Sequence, residues 1–160
     1  QKSSLYVLPY PPGQSFELTQ GNCSRLSHFK ASKYAFDFSM PIGTDVVASR
    51  GGRVIKVKQS VVNGSGREEG NYVFIEHADG TVAGYYHLSQ NSSVVDKGDV
   101  VEQGDIIATS GNTGRVTGPH LHFIVWKNKD RRQSVPVSFK NLDGSYFSPL
   151  TENVHYRAMR

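Results

Sequence analysis

Hydrophobic and polar positions alternate with a period of two along much of the chain. In 119–126 (PHLHFIVW), Leu121 and Phe123 fall on one side of an extended segment and His120 and His122 on the other. The segment 45–59 (DVVASRGGRVIKVKQ) holds two β-branched runs separated by Arg50, Gly51 and Gly52, and Val54, Ile55 and Val57 suit a sheet. Residues 71–88 (NYVFIEHADGTVAGYYHL) predict a hairpin, with Ala78, Asp79 and Gly80 turning between two strands rich in aromatic and β-branched residues. In 94–114, Gly98-Asp99 and Gly104-Asp105 recur six residues apart, each ahead of a short apolar run, which predicts tight corners feeding short strands. No segment holds a helical period over ten residues, so the expected fold is all-β or β-dominated.

The connecting stretches read differently. Residues 61–70 (VVNGSGREEG) are too polar and too full of breakers for an element interior, and the basic 127–133 (KNKDRRQ) predicts a solvated connection before 135–139 (VPVSF). Three of the seven prolines stand in 1–16, an extended lead-in. The organisation expected is that lead-in, a core over 17–127 and a C-terminal extension over 128–160 packed on the same domain.

Composition narrows the class. A chain of 160 residues, 37% hydrophobic and 11% aromatic, can fill the core of one globular domain and is too apolar for disorder to dominate. No apolar run approaches the roughly 20 residues that a membrane-spanning helix needs. The single Cys23 excludes an intrachain disulfide and a cysteine-cluster zinc site. A net charge of +4 favours an anionic partner, which leaves nucleic acid, cell wall and acidic membrane surfaces open. Gln1 in place of an initiator Met is what a processed chain would show, and a removed export signal is the expectation.

Candidate chemistry lies with the six histidines and one carboxylate. The spacing of His120 and His122 puts both imidazoles on one strand face, roughly 6–7 Å apart. One of them can bind a divalent metal while the other works beside it; the plainer alternative is two outward polar positions. The approach SGNTGRVTGPH, with its glycines and proline, marks a shaped loop ahead of His120. In GYYHL, alternation puts Tyr85 and His87 on one face and Tyr86 and Leu88 on the other. His77, beside the hairpin turn, reads as structural and His155 as surface. Asp37 interrupts the apolar run YAFDF, and a buried carboxylate costs several kcal/mol unless it is paired or binds a metal. The alternative places Tyr34, Phe36 and Phe38 inside and Asp37 outside. His28, Asp37 and one histidine of the 120/122 pair would supply three ligands and leave a fourth position for water, as in a catalytic zinc site.

The order of His28, Asp37 with MPIGTDVVAS after it, YYHL and SGNTGRVTGPHLHF resembles the lysostaphin and LytM type of zinc metallopeptidases, which cut peptide bonds in bacterial peptidoglycan. The similarity runs over roughly residues 26–126. It implies that His28, Asp37 and His122 bind one zinc ion, and that His120 and His87 flank the metal and serve catalysis. The commonest family spacing is His-x-x-x-Asp, but Lys33 stands four residues before Asp37 and the nearest upstream histidine is His28. LSHFKASKYAFDFSMPIGT matches the form with a longer insert.

The resemblance further implies a twisted antiparallel sheet with a metal-bearing groove, for which 59–70 and the Pro-rich 9–13 are candidate walls or an occluding segment. His120 is the candidate base and His87 the candidate oxyanion or leaving-group partner, roles that could be exchanged; for Tyr85, packing is the expectation over donating. The partner implied is peptidoglycan, reached outside the cytoplasm by a monomer. An inactive relative that binds the wall or regulates another hydrolase is the competing reading, and it predicts no tightly bound zinc. A biotinyl or lipoyl carrier needs a lysine at a hairpin tip in its modification motif, which is missing, and scattered basic residues give nucleic-acid binding no motif.

Overall fold

The computed structural model describes residues 5–21, 30–66, 69–147 and 149–160. Its strands are β1 (Tyr6–Val7), β2 (Ser15–Gln20), β3 (Phe36–Ser39), β4 (Asp45–Val47), β5 (Gly52–Lys58) and β6 (Asn71–Glu76). They continue as β7 (Val82–Leu88), β8 (Val100–Val101), β9 (Ile106–Thr109), β10 (His120–Trp126), β11 (Phe139–Lys140) and β12 (Val154–Arg157). The one helical segment among the described residues is a 3-10 turn, Lys30–Ser32, so the β-dominated expectation holds. No helix is long and apolar enough to cross a membrane among the described residues.

An antiparallel sheet of eight strands, in the order β12-β2-β3-β10-β7-β6-β5-β8, forms the body of the molecule. Two small ribbons, β4 with β9 and β1 with β11, accompany it. On one side of the sheet, Phe36, Phe38, Tyr85, Leu121 and Phe123 pack with Tyr6, Leu8 and Tyr10 from the lead-in, Val46 and Ile107 from the β4/β9 ribbon, and Phe139. On the other side, a smaller cluster gathers Ala35, Tyr72, Phe74, Val82, Ile124 and Trp126. The central strands are therefore covered on both faces, which is why FIVW at the end of β10 abandons the apolar–polar alternation that its beginning keeps.

Turn chemistry acts as the sequence predicts. The 71–88 hairpin closes through bonds from His77 N–H to the Thr81 carbonyl (2.9 Å) and from Gly80 N–H to the His77 carbonyl (2.9 Å), with Gly80 left-handed at φ 83°. The two Gly-Asp corners repeat one device: Gly98 and Gly104 take φ of 99° and 91°, while Asp99 and Asp105 each accept a 2.8 Å bond from a backbone N–H three residues earlier. The run 45–59 divides as expected, but its halves enter different sheets, β4 in a ribbon and β5 in the main sheet.

The Pro-rich lead-in corrects an expectation. Residues 9–13 do not wall or occlude the face that carries His120 and His122. Tyr6 meets Phe123, and Tyr10 meets Phe38, both on the opposite side of the sheet. The lead-in is tied there by Val7 N–H to the Ser49 carbonyl (2.8 Å) and Val47 N–H to the Pro9 carbonyl (3.1 Å). Its large apolar side chains needed the larger core, and that core lies behind the sheet. Beyond β10, Phe139 joins the same core and β12 pairs with β2 at the sheet edge.

Candidate active site

Register builds the site. β10 pairs with β3 so that His122 faces Asp37, and with β7 so that His122 also faces Tyr86, which sets the three residues in one row across neighbouring strands. Asp37 is 4% exposed although Phe36 and Phe38 beside it occupy the core behind, so it is a buried carboxylate on the other face. It is partnered: His122 Nδ1 lies 2.7 Å from Asp37 Oδ1, and His120 Nε2 lies 3.9 Å from the same oxygen. His87 completes the group, its ring 4.7 Å from that of His120 and 6.0 Å from that of His122.

His87 reaches this group against the expected alternation. Tyr85 lies wholly in the core behind the sheet, where its hydroxyl accepts a 2.8 Å bond from the Ser49 N–H; it is a packing residue and does not share a face with His87. Tyr86 and His87 both face the site instead. The cause is the backbone. His87 has φ 65°, a left-handed conformation uncommon outside glycine, and it stands where the β6/β7 register shifts between Asn71 and Tyr72. That twist turns the side chain across to the face of its predecessor and lets Leu88 return to the core.

Carbonyl groups fix the tautomers. Because a carbonyl oxygen only accepts, His87 Nδ1–H donates to the Thr113 carbonyl (2.8 Å) and His120 Nδ1–H donates to the Gly118 carbonyl (2.9 Å). Each ring thereby turns a lone pair on Nε2 away from its anchor. Burial, followed by the neighbouring His120 and His122, pushes the His87 imidazole down to about 4.

The anchor is itself held. Thr113 Oγ1 donates to the Leu88 carbonyl (2.8 Å) and accepts from the Asn71 N–H (2.9 Å). The fully buried Asn71 side chain bonds both backbone groups of Val61 (2.9 and 2.8 Å) and the Leu88 carbonyl (3.1 Å). The loop after β5 packs against this support, with Asn63 Oδ1 accepting from the Asn112 N–H (3.1 Å) and Ser65 Oγ from the Gly114 N–H (3.3 Å). No side-chain pattern in the sequence marks Thr113, Asn71 or Gly118, which act through backbone acceptors or buried amide contacts, and alternation alone assigns Tyr86 to the face away from His87.

His77 is structural, as expected: it is 3% exposed, its Nδ1 lies 2.8 Å from the Gly51 carbonyl, and its ring meets Tyr6 edge-on. His155 lies exposed on the edge strand β12. His28 lies outside the described residues.

The model of peptidase family M23 matches residues 31–134 of the chain. The chain belongs to peptidase family M23. Among its M23 relatives, the peptidoglycan DD-endopeptidase ShyA of Vibrio cholerae is 46% identical over 87 residues, 54% of this chain and 18% of ShyA. The catalytic domain of lysostaphin from Staphylococcus simulans superposes with a TM-score of 0.56 at 27% identity, covering 77% of this chain and 87% of that one. A zinc-containing peptidase from Vibrio cholerae gives a TM-score of 0.52 at 31% identity over 81% of this chain and 37% of that one. The resemblance to lysostaphin-type peptidases is thus borne out in family and fold, while this chain spans only a small part of the length of ShyA. The M23 match takes in Asp37, His87, His120 and His122 and begins three residues after His28.

The donor chemistry suits a zinc ion. A buried carboxylate oxygen and an imidazole nitrogen approach each other to 2.7 Å, which are the O and N donor types zinc takes, with other imidazoles close by. Among the described residues, no three such side chains converge into a metal cage.

Proposed function

We propose that this chain is a zinc-dependent endopeptidase that hydrolyses peptide bonds in bacterial peptidoglycan, outside the cytoplasm. The observation that carries the reading is the gathering of His87, His120 and His122 around the buried Asp37 on one face of the three central strands. The ligands in this reading are His28, Asp37 and His122. When bound there, zinc supplies a Lewis acid and a water acidic enough to be a nucleophile near neutral pH.

The remaining residues handle protons. His120 and His87 both present Nε2 as an acceptor, because both Nδ1 atoms carry hydrogen toward backbone carbonyls. His120 Nε2, at 3.9 Å from Asp37 Oδ1, is placed to take the proton of the attacking water as the new C–O bond forms. The proton then passes to the amide nitrogen as the C–N bond breaks, and the neighbouring His87 is the second imidazole within reach of that transfer. Relatives named as peptidoglycan endopeptidases support the substrate class, and a net charge of +4 suits an anionic wall.

The test compares wild type with His28→Ala and His122→Ala for zinc content and for digestion of purified sacculi. The expected result is about one zinc per chain, lost in both variants together with chelator-sensitive digestion. Full zinc and full digestion in His28→Ala would remove His28 from the ligand set. A wild type that binds no zinc and digests nothing would favour the inactive, wall-binding relative.

A further inference from the structure

The face that carries the histidines has a covered half and an open half. Over β6 the aromatic floor is covered: the Arg131 guanidinium lies 4.8 Å from the Phe74 ring centroid and Lys56 Nζ lies 5.5 Å from that of Tyr72, and both rings are buried. Across β3, β2 and β12 the same face offers polar side chains instead. Register fixes them: Ser39 faces His120, Glu17 faces Ser39 and His155 faces Glu17, a single row over four neighbouring strands. The adjoining positions Phe38, Leu18, Phe16 and Tyr156 all go to the core behind, so the row lies on the histidine side.

Glu17 stands apart within this row. It is half-buried, yet among the described residues it has no ion pair and no hydrogen bond. The other described carboxylates that are buried or half-buried are matched, Asp37 with His122 at 2.7 Å and Glu76 with Lys129 at 3.1 Å. The remaining described acids are exposed. A partly desolvated carboxylate with no cation beside it is set to take one from a ligand. Ser39, exposed between Glu17 and His120, adds a hydroxyl oxygen as a second acceptor. Two strand spacings, about 10 Å, separate Glu17 from His120.

We propose that Glu17, with Ser39, binds the primary ammonium group of a diamino acid in the substrate peptide, and that this contact selects which wall peptides enter the groove. An ammonium group has three donors and no acceptor, which complements the oxygens of a carboxylate and a hydroxyl. An extended peptide leaving the histidines over the open half covers the distance in about three residues, so the amine recognised stands about two or three residues from the bond cut. The inference rests on the peptidase reading for the identity of the peptide.

The test is cosedimentation of the purified chain, on ice, with sacculi that are either native or treated with acetic anhydride, which turns each free amine into a neutral amide. A buffer at about pH 8 keeps His155 neutral. Acetylation makes the wall more anionic, and long-range attraction to a chain of net charge +4 would then tighten binding. The Glu17 contact demands the opposite sign. Wild type is expected to bind acetylated sacculi about three- to tenfold more weakly than native ones, the scale of a partly exposed charge-assisted bond. Glu17→Gln, which keeps the shape and removes the charge, should bind acetylated sacculi as wild type does and show no such preference. Acetyl-Lys-D-Ala-D-Ala should displace wild type from native sacculi where its Nε-acetyl form does not; displacement by glucosamine instead would place the amine on the glycan and overturn the peptide assignment. Equal or tighter binding of wild type to acetylated sacculi, or a preference that Glu17→Gln keeps, would overturn the site. Release of soluble fragments on warming the same samples separates the two readings. Amine-dependent binding without digestion counts against the peptidase alone, and digestion with amine-indifferent binding counts against the Glu17 site alone.

Discussion

His87 and Thr113 are joined by a 2.8 Å hydrogen bond from the imidazole Nδ1–H to the backbone carbonyl, and this contact decides which ring nitrogen faces the groove. The left-handed backbone at His87 brings the ring to the correct face, and the Thr113 carbonyl then holds its tautomer. Because His87 is outside the proposed ligand set, His87→Ala is expected to keep its zinc content while sacculus digestion falls by about 10²–10⁴-fold, the usual worth of a positioned proton-transfer group. Metal analysis and a dye-release assay on the same preparation check this; zinc lost in parallel with activity would make His87 a ligand.

Gly70 guards the same carbonyl from behind. A Cβ at this position would stand 2.8 Å from the Thr113 carbonyl carbon and 2.9 Å from Thr113 Oγ1, both in a segment with little freedom to move. Gly70→Ala should therefore displace the Thr113 carbonyl, lower stability by about 1–3 kcal/mol and reduce activity more than tenfold. Thermal melts and kcat measured together test it, and a melting point and kcat both equal to wild type would show that the segment yields freely.

Asn71 supports the floor of that segment through three side-chain bonds to Val61 and Leu88. Asn71→Ala leaves the Val61 N–H and carbonyl buried without these partners, and each orphaned group costs about 1–3 kcal/mol. Urea unfolding should register a loss of at least about 2 kcal/mol. A loss below about 0.5 kcal/mol would mean that water replaces the amide.

Much of this architecture was legible in the sequence, and the illegible part has physical causes. The His120/His122 face, the 71–88 hairpin and the paired Gly-Asp corners rest on alternation and turn chemistry, which are local. The side taken by His87 rests on a left-handed residue at a register shift, which depends on the partner strand. Thr113 and Gly118 act through carbonyl oxygens that every residue possesses, so no side-chain pattern marks them. The lead-in announced burial through Tyr6, Leu8 and Tyr10, but only the assembled sheet decides that its larger core lies on the side away from the histidines.

A pH effect separate from catalysis follows from His77. Burial pushes its imidazole below the ordinary value, the carbonyl of Gly51 only partly opposing the shift, and its Nε2 has no described partner. The unfolded chain therefore binds the proton more readily. The stability this neutral residue gives is fully present above about pH 6.5 and is lost as pH falls below that toward the folded value. Urea midpoints at about pH 7 and about pH 5 should fall with acidity, and His77→Asn, which can still donate to Gly51, should show a shallower fall. His87 shifts in the same direction and contributes the slope that survives in His77→Asn. Asp79 does not interfere: although partial burial pushes its carboxyl up, bonds from Thr81 and Arg50 hold it down to about 2. Equal slopes in wild type and His77→Asn would remove His77 as the source.

The flanking of β10 by β3 and β7 has a consequence for how the molecule fails. If β10 slid by a single position, Leu121 and Phe123 would take the places of the imidazoles beside Asp37 and Tyr86, and the histidines would be driven into the hydrocarbon core. No partly slipped arrangement satisfies both faces at once. Loss of the site on heating should thus coincide with collapse of the whole sheet, so that residual hydrolysis and tertiary circular dichroism decline along one curve.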